Sequence, residues 1–110
     1  MKAIEAALAY TSGLGIRSME VPEWPIDGRP LKVFWKPMTL EERELIFKGG
    51  DMKLTDYAEV LFRKALDADG TKLFDLDDKI KLAKFVESGV VQRIALEILR
   101  SPKIEDLEKN

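Results

Sequence analysis

The chain contains no cysteine and no histidine. Without cysteine it forms no disulfide and offers no thiolate nucleophile. Without histidine it lacks the commonest general base near neutral pH, and the two absences together remove the usual zinc ligands. Aromatic residues are few, at 8%. No run approaches the ~20 apolar residues that span a bilayer. The apolar-leaning segment Met1 to Leu14 carries Glu5 and only one lysine ahead of it, which makes a poor secretion signal. No charge sign dominates either. Eighteen Lys and Arg face 20 Asp and Glu, for a net charge of −2, so no strong field draws the chain to nucleic acid. These absences predict a cytoplasmic protein that is not an enzyme, with no metal, no cofactor, no nucleic-acid partner and no membrane segment.

What is present fits one modest domain. The 110 residues are 45% apolar and 35% charged, a soluble globular balance with room for a single core. High charge with few aromatics points to a mainly α chain. The pattern divides it into a short N-terminal helix or arm at 1–15, a globular domain at 16–100 and a charged, loose tail at 101–110. Within the domain a small β-hairpin covers 16–36, and a compact bundle of about four helices covers 39–100.

Ala3 to Tyr10 has good helix formers before Thr11, Ser12, Gly13 and Gly15 end the run. Its stripe of Ile4, Ala7 and Leu8 either packs on the domain or docks on a partner. Ile16 to Val21 reads as a strand with Arg17, Met19 and Val21 on one side, stopped by Pro22 and Pro25. Asp27-Gly28 is a turn signal. Leu31 to Lys36 then places Leu31, Val33 and Trp35 on one face and Lys32, Phe34 and Lys36 on the other. The expected loop of about nine residues is longer than a tight turn. A lone two-stranded hairpin is marginal in water, so this one must lie on the helices or gain strands from another chain.

Pro37 ends the strand, and Thr39-Leu-Glu-Glu42 reads as a capping box. Gly49-Gly50 ends that helix. Thr55 is the expected cap of a helix to about Leu66, with Leu54, Tyr57, Ala58, Leu61, Phe62 and Ala65 as its buried stripe. Asp67-Ala-Asp-Gly70 is a turn. Asp75 caps a helix through about Glu87 with Leu76, Ile80, Ala83 and Val86 inward. After a break at Ser88-Gly89, the residues Val90, Val91, Ile94, Ala95, Ile98 and Leu99 make the strongest apolar stripe in the chain.

The motifs that carry chemistry fail their spacing tests. Placing Gly70 at position six of an EF-hand loop puts Ala65 at one and Leu76 at twelve, and neither binds calcium. Gly13-Leu-Gly15 lacks a third glycine and a Walker lysine. The serines have no histidine to activate them. Lys79, Lys81 and Lys84 read as a solvated face, with contact to an anionic partner as the alternative. The aromatic hairpin remains. Either Phe34 and Trp35 both turn into the core through local twist, or one ring is left exposed as a protein contact.

The segments Pro37-Met-Thr-Leu-Glu-Glu-Arg43 and Leu61-Phe-Arg-Lys-Ala-Leu-Asp-Ala-Asp-Gly-Thr-Lys-Leu-Phe74 carry a family likeness. With the preceding hairpin, they resemble the tail assembly chaperones of long-tailed, lambda-like bacteriophages and prophages over roughly residues 16–100. Both motifs are structural, a helix cap and a helix-ending turn. The resemblance implies a protein that binds the tape measure protein, keeps it soluble and helps recruit tail tube subunits. It also implies self-association, a host-cytoplasmic location and absence from the mature virion. Many members make a longer form by ribosomal frameshifting, whose extension engages the tube protein. The charged end Ile104-Glu-Asp-Leu-Glu-Lys-Asn110 would close the short form or lie near the slip point. The candidate partner-binding residues are Trp24, Phe34 and Trp35 of the hairpin, with Met38, Leu40 and Phe47 of the segment that follows. The alternative is a small helical interaction adaptor or regulator whose apolar stripes are all core.

Overall fold

The computed structural model describes residues 2–48 and 50–102. Among these residues the chain forms helix α1 (Ala3–Leu14), strands β1 (Arg17–Ile26) and β2 (Arg29–Trp35), and helices α2 (Leu40–Ile46), α3 (Asp56–Lys64), α4 (Leu76–Lys84) and α5 (Ser88–Leu99). The expected architecture, a hairpin near the N-terminus followed by a bundle of four helices, is the one observed. The expected charged tail lies outside the described residues from Lys103 onward, as do Met1 and Gly49.

The hairpin corrects the expected loop. Pro22 and Pro25 do not stop the first strand, and no nine-residue connection exists. The antiparallel ladder runs from Arg17 opposite Trp35 to Ile26 opposite Arg29, closing at Asp27-Gly28. Asp27 at φ 52° and Gly28 at φ 79° take the left-handed conformations that two-residue hairpin turns demand. The prolines are accommodated because the register breaks between Val21 and Pro25. A bulge there takes Pro22 out of the ladder, and Pro25 rejoins it opposite Pro30, beside the Ile26–Arg29 pair that flanks the turn.

The hairpin faces follow the period-two reading. Val21, Val33 and Trp35 are buried, and Leu31 and Met19 pack against the same core. The hairpin is also stitched to the helices through its second strand. The Phe34 N–H donates to the Leu66 carbonyl at 2.9 Å, and the Leu66 N–H donates to the Phe34 carbonyl at 2.8 Å. This contact supplies the support a two-stranded ribbon needs.

Local chemistry starts most of the helices where expected. Thr39 Oγ1 accepts from the Glu42 N–H at 3.2 Å, while Glu42 Oε1 accepts from the Thr39 N–H at 3.0 Å. Asp75 and Asp78 make the same reciprocal pair at α4. Thr55 does not cap α3 through its side chain; the Asp56 carboxylate instead accepts from the Lys53 N–H at 2.8 Å. Ser88 and Gly89 begin α5 rather than breaking the chain, since the Glu87 carboxylate accepts from the Gly89 N–H at 2.6 Å.

Helix α3 is the hub, packing on α5, α4 and α2, and α5 also packs on β1. Val60, Leu61, Ala65, Ile94 and Ala95 have no exposed surface; burying one large apolar side chain is worth ~1.5–3 kcal/mol before entropy. Two expected stripes need correction. Leu54 is exposed, because it precedes α3 rather than lying on its packed face. In α4 only Leu82 is buried; Leu76, Ile80 and Ala83 face outward and Val86 is half-buried. The helix meets the bundle along one narrow line through Leu82. Leu73, Phe74 and Val86, from outside the helix, complete that packing.

Candidate functional site

The six candidate contact residues do not form one patch. Trp35 is 2% exposed and belongs to the core, so its expected role as a surface anchor is corrected. The alternation that pairs it with Val33 turns its ring inward, and the Arg17 guanidinium stands 5.6 Å from the ring centroid. Trp24, Met38 and Phe47 are half-buried against the core, and Phe34 is half-buried on the opposite side of β2. Leu40 is 86% exposed, because it opens α2 on the side away from Ile46. Only Trp35 and Met38 of the six meet at one cleft.

That cleft, of about 300 Å³, lies between the end of α1 and the body, with Tyr10, Leu14 and Leu99 among its walls. Two arginines set its electrostatics. Arg43 Nη2 donates to the Leu99 carbonyl at 2.8 Å, and Arg17 Nη1 donates to the Arg100 carbonyl at 3.2 Å. Guanidinium groups from β1 and α2 therefore cap the negative end of α5. The cationic rim is first a structural device.

Two apolar surfaces stand out beyond the six candidate residues. The first is α1, which has no buried residue and leaves Ile4, Leu8 and Tyr10 more than half exposed. Of the two expectations for its stripe, packing on the domain is not what the structure adopts. The second is a groove between α3 and α4. Ala58 and Ala83 are shared by two adjoining hollows of about 240 and 270 Å³, walled by Leu54 and Val86 on one side and Ile80 on the other. The stripe that signals this groove is visible in the sequence, but its direction is not.

The groove rim is charged and internally paired. Glu59 accepts from Lys79 at 3.0 Å and from Arg63 at 2.8 Å. Burial pushes the Glu59 carboxyl up, but Lys79 and Arg63 together hold it below its ordinary value. Lys79 and Lys72 also stand over the Phe62 ring, 5.2 and 4.4 Å from its centroid. This arrangement keeps apolar floor beside fixed ion pairs, a surface suited to one face of an amphipathic helix.

Among the described residues no cluster of three or more acidic side chains is placed to hold a metal ion. No helix among them is long and apolar enough to cross a membrane. Comparison with protein-family models, with curated proteins and with solved structures gives no match for this chain.

Proposed function

We propose that this protein is a tail assembly chaperone of a long-tailed bacteriophage or prophage. It binds the tape measure protein, keeps that long apolar helical chain soluble and helps recruit tail tube subunits. In this reading it works in the host cytoplasm, makes and breaks no covalent bond, and leaves before the virion is complete. A longer frameshifted form would carry the contact with the tube protein.

Two things support the reading. One is the resemblance carried by Pro37 to Arg43 and Leu61 to Phe74. The other, which carries most weight, is an apolar helix with no buried residue attached to a well-packed body. A holdase needs apolar surface exposed yet kept in solution by neighbouring charge. Here α1 and the α3/α4 groove provide that surface, and ion pairs such as Lys79–Glu59 border the groove.

Co-expression with the tape measure protein of a long-tailed phage tests the proposal. The expected result is a tape measure protein moved into the soluble fraction and co-purifying with this chain. A tape measure protein that stays insoluble, beside a chain that remains free, would favour the helical adaptor instead.

A further inference from the structure

The first strand has an unsealed edge. Both peptide groups of Phe34 bond Leu66, so they point away from β1. Residues opposite each other in an antiparallel ladder turn their peptide groups either both inward or both outward. Ser18 lies opposite Phe34, and Glu20 opposite Lys32. The N–H and C=O groups of Ser18 and Glu20 therefore point away from β2. Among the described residues neither has a backbone partner beyond the hairpin. Both residues are exposed.

Strand edges of soluble proteins are usually blunted by proline, bulges, lysine or a covering element. Here that protection covers only part of the hairpin. On β2, Leu66 seals the edge at Phe34 and Lys32 marks the next outward position. On β1, the bulge at Pro22 to Trp24 protects the distal half. Helix α5 packs on β1 and is tied to it through Arg17–Glu97 and Glu23–Arg93, and the end of α1 shares a hollow with Ser18, but among the described residues neither helix bonds the backbone of Ser18 or Glu20. An open edge of this length is a template for one more strand.

We propose that β1 pairs with β1 of a second copy of this chain, antiparallel about a two-fold axis at Met19. The result is a four-stranded sheet across a dimer. The register follows from the edge. Centring on Met19 sets Ser18 opposite Glu20 of the second copy. Four backbone hydrogen bonds then form between the copies, two on each side of the axis. Centring on Glu20 would set two carboxylates face to face, which is unfavourable. Centring on Ser18 would carry Glu20 past the strand to Ile16. Only the Met19 register keeps every bonded partner inside the strand and every like charge apart. The proposal does not depend on the chaperone reading, since it rests on the ladder alone.

Sedimentation equilibrium of the full chain tests it, with two variants. The expected result is a monomer–dimer equilibrium. Glu20→Pro deletes an N–H that faces away from β2, so the hairpin keeps its own bonds; the dimer dissociation constant is expected to rise more than about tenfold with an unchanged circular dichroism spectrum. Met19→Cys places the only cysteines of the assembly in a non-hydrogen-bonded pair with Cα atoms ~4.5 Å apart, within disulfide range. Mild oxidation is expected to convert that variant to a covalent dimer. A wild-type chain that stays monomeric at about 100 μM, a concentration that reveals even weak self-association, overturns the proposal. So does a dimer that the Met19→Cys variant forms without cross-linking, or one that a folded Glu20→Pro variant leaves at full strength.

Discussion

Lys64 Nζ lies 2.9 Å from Glu42 Oε2 and 3.0 Å from Glu42 Oε1, at a position where the lysine side chain is 6% exposed. The same glutamate closes the capping box of α2 by accepting from the Thr39 N–H. One carboxylate thus starts a helix and neutralises a cation held against the core. Burial pushes the Glu42 carboxyl up, but the bonds from Lys64 and Thr39 hold it below its ordinary value.

Removing that carboxylate takes away a cap and strands a buried charge. Glu42→Ala is expected to cost about 2–4 kcal/mol of unfolding free energy. Lys64→Met should cost less, because it removes the charge that needs a partner and keeps the packed stem. Urea denaturation of the two variants side by side measures the difference.

Trp35 is the largest of the fully buried side chains. Trp35→Ala is therefore expected to act on the fold, by about 3–5 kcal/mol through lost packing and a cavity. Thermal melting should show a large drop. Leu40→Ala changes a side chain that is already solvated, and its melting temperature should stay near that of the wild type.

Helix α1 contributes no buried side chain. Deleting residues 2–14 is expected to change stability by less than about 1 kcal/mol. The same deletion should abolish solubilisation of the tape measure protein if α1 is a docking surface. Equilibrium denaturation and the co-expression assay separate the two effects.

Acid should weaken the fold through its lowered carboxylates. Glu23 stands at about 2 against an ordinary 4.5, chiefly because Arg93 donates to it, with a backbone hydrogen bond adding to the effect. The second Arg93 bond, from Nη2 to Glu23 Oε1, spans 2.7 Å. A carboxyl lowered in the folded state contributes stability above its unfolded value and loses it as pH falls toward the folded one. Glu42 and Glu59 are shifted the same way. Stability is expected to decline as pH drops from 4.5 toward about 2. Glu23→Gln should flatten part of that decline, and salt should reduce the difference, since this pair is exposed. Denaturation curves across that range check both.

Much of the scaffold is legible in the sequence because its causes are local. The Thr39–Glu42 and Asp75–Asp78 boxes each need only four consecutive residues. The α5 stripe from Val90 to Ile98 is buried as its spacing implies. The long loop expected around Pro22 and Pro25 does not form, because a bulge can carry proline through a strand, and a bulge depends on the partner strand. The candidate site is less legible. Phe34 and Trp35 read as a pair of rings beside charge, yet the pleat sends one into the core and leaves the other half-covered.

The sequence alone determined where α2 and α4 begin, where the hairpin turns and which residues of α5 are apolar enough to be buried. These follow from hydrogen bonds and dihedral preferences spanning a few residues. Tertiary structure decided which side of α4 faces solvent, that α1 stands apart from the core, and that Leu66 seals one edge of the hairpin while β1 stays open. Those outcomes depend on partners tens of residues away, and a periodic stripe is equally apolar whichever neighbour covers it.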